Sequence, residues 1–413
     1  MSGRLPFTSL ATLLALVACA PADGERLGTW VAERDTIGDT IVVRTISGSI
    51  RDGTATLVED LSIGVLEGAE ELMLGQISSL AVDSAGGIYA FDGQVPALRY
   101  FDSTGAYVRT LGAKGAGPGE YEDASLGLAV RHHDGRVVMR DPRNGRMNVY
   151  NPDGSPSTQW TVTSGLFTND ATVLDTADHL YLRILLSRPE RNKPWNIGLL
   201  HLDDSGRVVD SIAIPAMPGE PEGAGGAFLP AKIWAWSPLG YLVVGVNDTY
   251  RFEVRAPGAP VVRIERSVPV VEVLPEEHAE LEARNDWYRK YQGQFMTAEL
   301  PPVPHTKPPW RSFLIGQDGR IWVRRHTTAE HAEVEGEATP QRPAPPSWVE
   351  PAVYDVFEPD GRYLGEVRAP TGVNVSVVRG DQAWGLRQGD MGEQLIVRLH
   401  LVHADSAVQQ PAP

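Results

Sequence analysis

Between residues 79 and 112 the chain runs through four short apolar stretches, 79–83, 86–92, 98–102 and 105–112, each closed by a turn of Gly and Asp. Runs of that length bounded by turn residues read as strands, and four in succession form a small antiparallel sheet. A sheet this small cannot bury its own apolar face, so further copies have to pack beside it. Weakened copies do recur along the chain, and small sheets packed side by side about an axis make a β-propeller. No other feature of the 413 residues restricts the fold as tightly.

The turns count the copies. A turn between the first two strands of a sheet is read at 85–86, 133–135, 177–178, 238–240, 317–319 and 379–381. A turn ahead of the last strand is read at 103–105, 152–154, 204–206, 256–258 and 359–361. The final sheet, built from 373–378, 382–386 and 394–401, therefore lacks a fourth strand of its own. The run Asp39 to Ser47 is expected to supply it, closing the ring and removing two exposed sheet edges. Residues 55–65 read as a further strand leading into the first blade. The fold expected is all-β: a six-bladed β-propeller over residues 28–404, closed by an N-terminal strand, with one inserted helix between blades four and five. Residues 405–413 are expected to form a disordered tail.

The turn spacing widens around blades four and five, which points to insertions there. From Pro275 to Phe295 the pattern becomes helical, with Pro275 in the first turn, Glu276 and Glu277 behind it, and Leu281, Tyr288, Tyr291 and Phe295 at three-and-four spacing. A second insertion, 327–350, is acidic and then proline-rich, and is expected to be a mobile loop.

The chain has a single cysteine, so it can form no internal disulfide. Cys19 follows Arg4 and an apolar run over 10–17 that has the length of a secretory h-region and is too short to span a bilayer as a helix. Leu16-Val17-Ala18-Cys19 resembles the bacterial lipobox. The resemblance implies a signal peptide at 1–18, a lipidated Cys19 and a polar tether over 19–27. Two or more acyl chains anchor durably where one does not. Ala20 stands where an aspartate tends to retain Gram-negative lipoproteins at the inner membrane, so the resemblance implies an outer-membrane address facing the periplasm or the exterior. The net charge of −16, from 53 acidic and 37 basic residues, argues against nucleic acid as a partner.

Gly112 to Tyr121, reading Gly-Ala-Lys-Gly-Ala-Gly-Pro-Gly-Glu-Tyr ahead of Leu126-Gly-Leu-Ala-Val130, resembles the blade junction of NHL-type and related six-bladed propellers, with Ala124 where proline is common. With the lipobox, the chain resembles the secreted six-bladed β-propeller lipoproteins of bacteria, in the NHL and TolB-like superfamily. A phosphate loop is rejected, because neither Gly-x-Gly-x-x-Gly nor a Gly-Lys-Ser/Thr ending is present.

Propeller sites gather where inner strands converge on the axis. The polar residues read at those places are Lys232, Arg311 with Ser312, and Asn374 with Ser376; a cationic mouth on an acidic protein would draw an anionic ligand. Lys232 and Arg311 could equally pair with nearby carboxylates. Related six-bladed lactonases carry an axial metal, and oxygen ligands suit calcium; Glu122, Asn169, Asp170 and Asn374 lie near inner-strand ends, yet no spacing motif selects them. Adjacent His132 and His133 would point to opposite strand faces, and His326 with His331 has no zinc spacing behind it. A nucleophile elbow, Gly-x-Ser-x-Gly, does not occur. Trp287, Tyr288 and Tyr291 on the helix, with Trp310 and Trp348, form either an aromatic wall for a ligand or packing for the helix. The reading is a monomeric, non-enzymatic binding or scaffolding module for a protein or small molecule, with no cofactor or metal. The alternative is a calcium-dependent hydrolase, lactonase or lyase acting at the channel mouth.

Overall fold

The computed structural model describes residues 27–122, 127–161, 172–187, 196–221, 225–293, 300–334 and 336–403. The expected signal peptide, Cys19, nearly all of the expected tether, Ala124, Asn169, Asp170, Phe295 and the expected tail at 405–413 lie outside the described residues.

The strands form six antiparallel sheets of four about one axis. Their first strands are Ile77–Val82, Leu128–Val130, Val173–Leu174, Lys232–Trp236, Trp310–Ile315 and Asn374–Arg379. These neighbour one another around the axis, blade one against two and six, two against three, five against four and six. Second strands such as Ile88–Asp92, Val137–Asp141 and Leu242–Val246 are buried at every position. Sandwiched between neighbouring blades, they open with apolar residues on both faces, without alternation, and the first two end in a buried aspartate. The core is accordingly a set of layers between blades; Phe91, Leu98 and Tyr121, for example, meet Val137, Met139 and Tyr150.

Tyr121 explains the glycine-rich junction. Its hydroxyl donates to the Leu111 carbonyl and accepts from the Leu98 amide, both at 3.0 Å, and the side chain is fully buried. To reach that position the chain turns at Gly112 (φ +65°), where a Cβ would sit 2.5 Å from the Gly119 carbonyl oxygen. Only glycine accommodates that backbone. The stretch is a structural turn.

Ring closure comes from the N-terminal region, as expected, but from a different strand. The first strands of the chain are β1 (Val31–Ile37), β2 (Thr40–Ser47) and β3 (Thr54–Ile63). It is β3 that completes blade six, pairing antiparallel with Gln394–Val402 from Thr56↔Val402 to Ile63↔Ile396. On its other side β3 runs parallel to the last strand of blade five, Tyr363–Arg368, so blades five and six merge into one eight-stranded sheet. The run 39–47, expected to close the ring, becomes β2. It pairs with β1 and lies parallel to Val261–Arg266, the outer strand of blade four. The difference is one of inward faces: β3 sends Ala55, Leu57 and Ile63 into the core over ten residues, while β2 buries Val42 and Val43 against an outer edge.

Connections within a blade separate by face. Turns joining strands one to two and three to four lie on one side of the ring; connections joining two to three, and one blade to the next, lie on the other, the crossover face. The helix α1 (Pro275–Gln292) occupies the passage from blade four to blade five, where it was expected. Residues 327–350 join the second and third strands of blade five. Instead of a loose loop they fold back on themselves, pairing Glu330↔Val349 and His331↔Trp348. Both insertions therefore crown the same face.

Candidate functional site

The six first strands enclose a cavity of about 520 Å³ on the axis. Its wall is largely apolar, with Leu80, Val130, Leu174, Trp234, Phe313 and Val377 among its residues. Polar groups are few: serine and threonine hydroxyls from Ser78, Ser79, Thr172 and Ser376, together with His132, Gln317 and one guanidinium, Arg183. Arg183 lies over the Trp234 ring, 4.7 Å from its centroid. Among the described residues no carboxylate lines this wall.

Arginine recurs at one rung. Arg140, Arg183 and Arg324 are each the fourth residue of a second strand, in blades two, three and five. Beside Arg324 stands Arg311, the extra residue of a β-bulge between the pairs Trp310↔Arg325 and Ser312↔Arg324. A bulge bends its strand and re-aims the extra side chain. Arg311 is exposed at the crossover end of blade five's inner strand. The packed walls around it, and next the neighbouring Arg324 cation, lower its pKa from the usual arginine value, against the pull of Glu350.

Over this part of the mouth the insertions are locked together around Lys307. Its ammonium group, fully buried, donates to Glu277 Oε1 and Glu350 Oε1 at 2.7 Å each and to the Thr327 carbonyl at 3.0 Å. His326 Nδ1 lies 3.0 Å from both oxygens of Glu350. Burial would raise the Glu350 carboxyl, but hydrogen bonds and charge from His326 and Lys307 outweigh it and hold the group below the ordinary range. The Phe228 ring, from the crossover between blades three and four, covers both Lys307 and His326.

The residues singled out in the sequence part company here. Lys232 does not face the mouth as a free cation, since its ammonium pairs with Glu220 at 2.7 Å. Trp310, expected at a ligand surface, is fully buried between Phe252 and Phe313 and donates its indole N–H to the Thr249 carbonyl at 2.9 Å. Trp287 is buried and donates to the Thr339 carbonyl at 2.7 Å; Tyr291 packs on it at 5.4 Å between centroids. The aromatic cluster thus fastens α1 to the blade-five insertion. Asn374 is exposed at the start of blade six's first strand, the neighbour of Arg311's strand. Ser312 is half-buried, and Ser376 is the bulged residue of blade six and lines the channel. Glu122 is half-buried on the blade-one exit. His133 holds Asp178 in a turn on the opposite face, and His331 rests on Trp348. Among the described residues no three His, Cys, Asp or Glu side chains gather as a metal-holding group. Arg324, Arg183, Lys307 and Glu350 were not anticipated. Arg183 carried a signal, a cation inside an otherwise apolar second strand, which is a rare place for one.

Comparison with known proteins agrees with this architecture. A family model described as a 6-bladed beta-propeller matches residues 52–206. No curated protein has a matching sequence. A member of the DUF4221 family from Bacteroides vulgatus is structurally similar, with a TM-score of 0.54 and 12% identity over 85% of this chain and 99% of that one. A protein of Bacteroides fragilis described as exported has a TM-score of 0.47 at 10% identity over 88% of this chain and 100% of its own. A gluconolactonase from Xanthomonas campestris has a TM-score of 0.39 at 14% identity, over 80% and 88%. At 12% identity the likeness to the DUF4221 protein is one of fold. The chain is a six-bladed β-propeller. Among its described residues, no helix is long and apolar enough to cross a membrane.

Proposed function

We propose that this propeller is a non-enzymatic binding module of the cell envelope that takes a small, mainly apolar ligand into its axial channel from the crossover face. The observation that carries the reading is the cavity itself: about 520 Å³, inside the range of roughly 300–1,000 Å³ typical of small-molecule sites. Its walls are apolar with a few hydroxyls, a surface suited to holding a ligand. The hydrolase alternative calls for converging oxygen ligands, and the described part of the channel wall supplies no carboxylate toward such a set. The stiff ring presents the insertions on one face, where loops can vary without disturbing the base.

The test is a fluorescence titration with phenylnaphthylamine, an uncharged apolar dye. Saturable one-to-one binding is expected, and Ser376→Trp, which fills the channel from an exposed bulge position, should weaken it about tenfold or more with the melting temperature unchanged. Unaltered binding in the folded variant would sink the reading.

The envelope address rests on the lipobox-like Leu16-Val17-Ala18-Cys19. The protein is taken as a monomer, held to the outer membrane through acyl chains on Cys19, with no nucleic-acid partner. Cys19→Ser should move it from the membrane fraction to the soluble fraction; a variant that still sediments with membranes would count against lipidation.

A further inference from the structure

We propose that the channel mouth beside blade five is an oxyanion site, in which Arg311 and Arg324 together hold a carboxylate or phosphate group on the ligand. The inference rests on the channel-binding reading and adds a chemical class to it.

The bulge puts an arginine where the regular ladder would have none, immediately beside the rung of Arg324. Neither guanidinium has an ion-pair partner among the described residues. Neighbouring arginines of the same blade are paired: Arg325, which follows Arg324, pairs with Glu366 and Asp355, and Arg320 pairs with Asp318 and Glu358. The Arg324 Nε is buried and makes no hydrogen bond. A buried donor left without an acceptor is costly, and more so when it is charged. The obvious internal acceptor is already occupied, because Glu350 receives Lys307 and His326 on its two oxygens.

Two adjacent cations, neither in ion-pair contact with a carboxylate, repel one another until an anion lies between them. The lowered pKa of Arg311, set by its packed surroundings and by Arg324, is consistent with that repulsion. A planar guanidinium fork matches two oxygens of a carboxylate or of a phosphate. Phe313 and Leu314, on the same strand as Arg311, line the channel. An acidic head at the arginines would therefore continue into an apolar body on the axis.

The experiment compares two dyes of similar body, phenylnaphthylamine, which is uncharged, and anilinonaphthalene sulfonate, which bears an oxyanion. The sulfonate should bind about tenfold tighter. Arg311→Gln and Arg324→Gln should each remove most of that advantage, Arg311→Lys should restore part of it, and the uncharged dye should be unaffected. Added salt should weaken only the sulfonate. Displacement of the sulfonate dye by inorganic phosphate identifies a phosphate head; displacement by octanoate identifies a carboxylate. An unchanged sulfonate affinity in the folded double variant overturns the site. The two readings fail separately. Arg-dependent sulfonate binding without any binding of the uncharged dye removes the channel body and keeps the oxyanion site. Uncharged-dye binding with no sulfonate advantage does the reverse.

Discussion

Lys307 pins three crossover-face segments with one charge: the helix through Glu277, the blade-five insertion through Glu350 and the Thr327 carbonyl, and the Phe228 loop through its ring. Removing one partner of a buried ion pair strands the others without water or counter-charge. Lys307→Met is therefore expected to lower the free energy of urea unfolding by about 3–5 kcal/mol. Arg289→Gln, which removes surface pairs with Asp286 and Glu282 and a long hydrogen bond to the Leu300 carbonyl, should cost about 1 kcal/mol or less. Glu350 adds a pH dependence of known sign. Its folded-state pKa is depressed, so its contribution is complete above the unfolded value of about 4.3 and is lost as pH falls through the folded value. Acid titration of stability should be shallower in Glu350→Gln; an identical slope would show that the carboxylate is not held as described. None of this was legible in the sequence. The residues that meet here are separated by 30 and 43 positions and belong to segments whose local patterns say nothing about each other.

At the scale of elements, closure by β3 makes a prediction that closure by residues 39–47 would not. Val402, near the end of blade six's third strand, pairs with Thr56 near the start of β3, so the two strands could be one hairpin. A chain beginning after residue 65, with residues 54–65 moved behind His403 through a short Gly-containing turn, should still fold as a closed ring. Its circular-dichroism melt should remain a single cooperative transition. Broad or absent melting in that permutant would mean that β1 and β2 are needed for closure. The helix illustrates the opposite balance. Its start follows from Pro275 in the first turn, two glutamates behind it, and Glu277 reaching back to the Leu274 amide at 3.3 Å. Its partners do not follow from those residues. Glu280 binds Ser347 and Glu282 binds the Val303 amide because the fold brings those groups within reach.

At the scale of the molecule, the number of blades, their turns, the crossover of Gly112 to Tyr121 and the places of both insertions were readable from residue order. Each depends on contacts over a few residues: a strand announces itself by its apolar run, and a turn by the glycine whose positive φ it requires, as at Gly86 and Gly105. Two matters lay beyond that range. One was which N-terminal strand seals the ring, a choice made by pairing between Thr56 and Val402 at opposite ends of the chain. The other was which cations stay unpaired. Lys232 and Arg311 look alike in sequence, each at the start of an inner strand, yet Glu220 neutralises the first while the acid beside the second is already engaged by Lys307 and His326. Local composition dictates the blades because short-range sterics and burial act along the chain. Charge pairing and closure depend on groups that meet only once the ring has formed.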